Sequence, residues 1–201
     1  MMKAKLLILF MVCSSALFAQ QNNPTEYKIA PESHLWLIGS ATTGSWTCGT
    51  GELSGYGIPS TSLRPAEVRV SIKVKNLDCG NRFMNNDMYD AMNADQFPTI
   101  DYHLISARRL PGDNGDTVWM KLQTAGTLDL NGVSKQINMQ VNVRRLADKR
   151  IQAVGTIVMA MSDFNVTPPS ALFGLIKAAN ELEVRFDITA EPSDSLSSSS
   201  Q

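Results

Sequence analysis

The chain has 201 residues, a formal charge of −1 and two histidines. That length suits one domain with a full core. Without a basic patch or polybasic arm, the near-neutral balance argues against nucleic acid or an anionic membrane surface as a partner.

Residues 1–19 read as a secretory signal peptide. Lys3 and Lys5 precede an apolar run from Leu6, and small residues stand near Ala16 and Ala19. Cleavage after Ala19 puts a rather large Leu17 at the −3 position. The run is too short for a stable membrane span, and Phe10-Met11-Val12 before Cys13 makes a poor lipobox. Loss of Lys3 and Lys5 moves the formal charge from −1 to −3. Export leaves Cys48 and Cys79, and an oxidising compartment favours a bridge between them. The alternative is two buried free thiols.

Segments 27–30 and 34–42 read as short strands, followed by 46–56. Gly49-Thr50-Gly51-Glu52 carries a glycine pair expected of a bend or bulge. Val68, Val70, Ile72 and Val74 then alternate with Arg69, Ser71, Lys73 and Lys75, the mark of a strand with one dry face. Asn81 can cap a helix whose Phe83, Met84, Met88, Ala91 and Met92 share one face. Strand 99–106 follows. Asp113-Asn114-Gly115-Asp116 marks a turn and lacks calcium-loop spacing.

Residues 118–130 alternate up to Asn131-Gly132, a strong hairpin signal. Ile137, Met139, Val141 and Val143 continue the pattern, as do Ile151 through Met161 at odd positions. Residues 170–179 read as a short apolar helix bounded by Pro168-Pro169 and Asn180. Leu182, Val184, Phe186 and Ile188 form the last alternating run. The domain is expected over 20–190, and the Ser-rich 191–201 reads as a disordered tail.

At least seven strands therefore need closure, and the helices are too few to cover an open sheet. A barrel or a two-sheet sandwich satisfies this equally. Enzyme signatures are missing: no G-x-S-x-G elbow, P-loop or dinucleotide fingerprint occurs. His34 and His103 have no motif around them and no metal-ligand spacing, though Asp101 or Asp87 could meet them in space. No catalytic residue and no metal site is assigned.

The order of several short motifs resembles the YceI-like family. They are Tyr27-Lys28-Ile29 with Pro31 and Ser33, then Val70-x-Ile72-x-Val74. Next come the 78–106 crossover with Met88, Tyr89 and Phe97-Pro98-Thr99-Ile100, and the 125–133 hairpin. Met161-Ser162-Asp163-Phe164 and Val184-x-Phe186-x-Ile188 complete the set. The family's common histidine is missing from 44–49, and Asn85 and Asn86 replace acidic residues of the crossover.

The resemblance implies a mainly β fold: an antiparallel lipocalin-like barrel of about eight strands with two short helices. It also implies a secreted or periplasmic carrier of a long-chain hydrophobic lipid, a polyisoprenoid or quinone, rather than an enzyme with a cofactor. The lining expected is Val70, Ile72, Ile100, Tyr102, Leu128, Met139, Val141, Ala153, Gly155, Ile157, Met159 and Phe186. Leu172, Phe173 and Ile176 are expected at the mouth. Adaptable methionines among apolar walls suit a flexible hydrocarbon.

Pattern alone does not separate a hollow lumen from a packed core, and a structural envelope protein without ligand is the alternative. If the lumen is hollow, leucine at Gly155 or Ala153 should block it. The residues leave monomer and homodimer both open.

Overall fold

The computed structural model describes residues 25–62, 64–110, 118–171 and 175–193. The signal peptide, Leu172, Phe173 and the end of the Ser-rich tail lie outside the described residues.

Period-two patterning becomes a closed antiparallel barrel. Its strands are β1 (Tyr27–Ile29), β2 (His34–Ala41), β3 (Gly44–Thr50), β4 (Leu53–Ile58), β5 (Glu67–Lys73) and β6 (Thr99–Arg109). Then follow β7 (Met120–Leu130), β8 (Val133–Arg145), β9 (Ile151–Ala160), β10 (Ser170–Ala171) and β11 (Ile176–Pro192). Around the wall the order is β1-β4-β5-β6-β7-β8-β9-β11, and β11 pairs again with β1. This closed circuit has eight strands. The β2–β3 hairpin continues the wall along β11 beyond β1.

The chain bends between β1 and β2, where β11 would lose its ladder partner. Ser33, fully buried, replaces it. Its hydroxyl donates to the Thr189 carbonyl and accepts from the Thr189 N–H, both at 3.0 Å. The third expected strand, 46–56, is broken into β3 and β4 at Gly51-Glu52. There the Thr50 hydroxyl accepts from the Glu52 N–H at 2.9 Å, a local bond that competes with the ladder. The Asn131-Gly132 turn joins β7 and β8, with φ of 50° and 73° as a two-residue hairpin demands.

Among the described residues one α-helix forms, α1 (Arg82–Ala91), capped by the Asn81 side chain accepting from the Met84 N–H at 2.9 Å. Met88 and Met92 are buried on its inner face. Phe83 is not: it is 82 % exposed, because it stands about 100° around the helix from Met84. Among the described residues of 170–179, the expected helix does not form. Ser170 and Ala171 pair with Lys177 and Ile176, and β11 continues from there along β2. The sheet also runs past residue 190, since Glu191 and Pro192 pair with Lys28 and Tyr27.

Ser33→Ala strips a buried N–H of its acceptor and should cost about 1–3 kcal/mol. Urea unfolding would read this as a lower midpoint at unchanged slope. An unaltered midpoint would mean the bend does not depend on Ser33.

Candidate functional site

Register decides which side chains look into the barrel. Val70 faces Tyr102, and Tyr102 faces Leu128. Ile72 pairs with Ile100. On the other wall Val141, Gly155 and Phe186 stand in one row. Met139 lies across from Thr124, Ala153 from Val143 and Ile188, Ile157 from Val184, and Met159 from Leu182. All twelve expected lining residues therefore share one face of the wall. Leu35, Leu37, Trp46, Thr124 and Ile137 join them by the same pairing and were missed from sequence. The Asn131-Gly132 turn held the signal for Thr124, since it fixes the β7–β8 register.

Burial along this face is uneven. At the α1 end, Val74, Leu77 and Phe164 are at most 2 % exposed. They form one cluster with Met88, Met92, Met161 and Leu182. The pocket left there, beside Met88, Met92 and Met159, is about 20 Å³. Further along the barrel Val70, Met139, Ala153, Ile157 and Phe186 are only half-buried despite facing inward. Ala107, opposite Thr124, is exposed.

The far end carries a cleft of about 820 Å³ lined by Tyr27, Pro59, Arg145, Asp148, Arg150 and Pro192. Tyr27, Arg145 and Pro192 continue the inward face there by register. Ile176, expected at the mouth, starts β11 at the α1 end.

Aromatic rings inside lie flat against glycines. A Cβ on Gly126 would come within 2.4 Å of the Tyr102 ring, and one on Gly155 within 2.4 Å of the Phe186 ring. Gly39 receives the Trp46 indole in the same way, at 2.2 Å. Gly155→Leu would thus displace Phe186 rather than simply fill space, so Ala153 is the cleaner position for a blocking residue.

The α1 end is sealed by covalent and polar ties. Cys48 and Cys79 are joined in a disulfide. Beside it the Gly49 and Asp78 backbones exchange hydrogen bonds of 2.9 and 2.8 Å. The Tyr89 hydroxyl reaches the Leu77 carbonyl at 2.8 Å. The Asn93 amide donates to Asn131, whose own amide donates to the Phe164 and Asn165 carbonyls. This ties α1, the β7–β8 turn and the chain after β9 into one lid.

Titratable groups outside serve packing. The Tyr56 hydroxyl donates to Glu67 at 2.6 Å, which holds that carboxyl below its ordinary range. The His34 ring meets the Glu32 carbonyl at 2.8 Å and stacks on Trp36. Asp101 accepts from Thr99. Among the described residues, neither Asp101 nor Asp87 pairs with a histidine, and no group of three or more metal-ligating side chains occurs. No helix among them is long and apolar enough to cross a membrane.

A family model for the YceI-like domain matches residues 23–190. The chain belongs to the YceI-like family. Among solved structures, BcnA of Burkholderia cenocepacia is similar, with a TM-score of 0.67 and 16 % identity over 81 % of this chain and 99 % of that one. A polyisoprenoid-binding domain from Saccharophagus degradans, implicated in plant cell wall breakdown, has a TM-score of 0.65 and 20 % identity. It covers 85 % of this chain and 99 % of its own. The Campylobacter jejuni YceI protein follows at 0.56 and 18 %, over 73 % and 85 %. No curated protein shows significant similarity to the chain.

Two departures from the YceI-like pattern acquire a structural role. The missing histidine lies in 44–49, where this chain places Trp46 on Gly39 and Cys48 in the disulfide. Asn85 bonds the Asp78 carboxylate at 3.0 Å and accepts from the Cys79 N–H at 2.7 Å. It thereby holds the turn that carries the disulfide, and it keeps the Asp78 carboxyl below its usual range.

The disulfide closes a separation of 31 residues, worth roughly 3.5 kcal/mol in the chain-entropy model. Reduction should lower Tm by about 7–14 °C, at roughly 2–4 °C per kcal/mol for a protein of this size. Calorimetry with the thiols reduced and blocked tests this, and an unmoved Tm would refute the locking role.

Proposed function

We propose that this YceI-like protein is an exported carrier of an isoprenoid-tailed lipid, either a polyisoprenoid or a quinone. The observation that carries the reading is the burial gradient inside a closed wall. Inward apolar residues at Val70, Met139, Ala153, Ile157 and Phe186 remain half-buried, while Val74, Leu77 and Phe164 at the α1 end are at most 2 % exposed. A filled core would bury both sets alike.

The lipid tail lies along this face, between the sealed lid and the wide cleft. Burial contributes about 0.8 kcal/mol per CH₂, so several isoprene units supply enough binding energy to offset ordering of the tail. The Tyr102 and Phe186 rings pack against Gly126 and Gly155, where a larger side chain would displace them. The wide cleft at the other end serves as the mouth. The name of the Saccharophagus degradans relative, a polyisoprenoid-binding domain, supports the same ligand class. The disulfide and the leading apolar run of 1–19 support export to an oxidising compartment. Nothing in this reading requires catalysis or a cofactor.

Ala153→Leu tests the lumen directly. The carrier reading predicts an unchanged Tm and loss of long-chain isoprenoid uptake, measured by organic extraction after incubation. A packed barrel would instead be overfilled and lose about 1–3 kcal/mol. A stable variant with full uptake would also contradict the proposal.

A further inference from the structure

The Tyr102 hydroxyl is the one buried side-chain polar atom without a hydrogen-bond partner among the described residues. Ser33, Thr50, Thr124 and Asn131, also buried, all have theirs. Leaving a hydroxyl orphaned costs about 1–3 kcal/mol, and phenylalanine would avoid that cost.

The group sits where a guest would meet it. Tyr102 faces inward in the first half of β6, between Val70 and Leu128, with its hydroxyl over Gly126. The Thr124 hydroxyl is close enough to partly offset the effect of burial on Tyr102, whose pKa burial pushes up. Yet no bond of sound geometry joins them, and the Thr124 hydrogen goes to the Met139 carbonyl at 3.0 Å. Tyr102 therefore stays protonated and offers a hydrogen with no taker.

The neighbours also define the taker. Val70, Leu128 and Gly126 bring no cation to the Tyr102 hydroxyl, so a phosphate pushed this deep would be an unpaired buried charge. A neutral carbonyl oxygen satisfies the donor without that penalty.

We infer that Tyr102 is the head-group anchor of the lumen, donating a hydrogen bond to a neutral carbonyl oxygen of a lipid that enters polar end first. This deepens the carrier reading and rests on it. It selects prenylated quinones over bare isoprenoid hydrocarbons and over polyprenyl phosphates.

The test compares the wild-type protein with Tyr102→Phe, using a ubiquinone with a two-unit isoprenoid tail and squalene as probes. Quinone affinity is read from tryptophan quenching and squalene from displacement of a fluorescent lipid. The expected result is a quinone affinity weakened about 2- to 12-fold in Tyr102→Phe, with squalene unchanged and the ligand-free Tm unchanged or raised. The carbonyl stretch of bound quinone should shift to lower frequency in wild type and return in the variant. Equal weakening for both probes would make Tyr102 a packing residue and overturn the inference, as would an unaffected quinone. A wild-type protein that binds neither probe would overturn the carrier reading as well.

Discussion

Closure of the sheet is the constraint on which the rest depends. It passes through β1, only three residues long, which pairs with β4 on one side and β11 on the other. An open sheet of this length would expose unpaired backbone at both edges and let water reach both faces. Once β1 closes the circuit, each strand has one inside and one outside, and the alternating pattern acquires a spatial meaning. Ser33 makes closure compatible with the β1–β2 bend by standing in for a missing ladder partner.

A closed wall then needs its ends defined. The crossover after β5 supplies one end, with α1 laid beneath Met161, Phe164 and Leu182. The disulfide and the Gly49–Asp78 pairing anchor it to the wall. The amides of Asn93 and Asn131 carry the tie across to the chain after β9. The other end has no comparable lid among the described residues, and its charged rim frames the wide cleft. One sealed end, one open end and an apolar, partly accessible face between them suit the holding of a long molecule better than the turnover of a small one.

Much of this was legible in the chain because period-two alternation is a local consequence of pleating. Val68–Val74, Ile137–Val143 and Leu182–Ile188 announced their strands, Asn131-Gly132 its turn and Asn81 its helix cap. Segment 170–179 misled because its apolar spacing suits a helix, whereas the edge of β2 and the short β10 offered backbone partners that a local pattern does not reveal. The break at Gly51-Glu52 was visible as a bend but not as the end of a strand. The inward set followed from alternation. The aromatic–glycine contacts and the orphaned Tyr102 hydroxyl did not, because both depend on which residues stand opposite in a neighbouring strand.

Whether the barrel holds a lipid is read by mass spectrometry of the protein isolated under native conditions, intact and after organic extraction. A near-stoichiometric isoprenoid-tailed species should accompany the intact protein and leave with the solvent. Bare protein, both as isolated and after incubation with long-chain isoprenoids and quinones, would contradict the carrier reading.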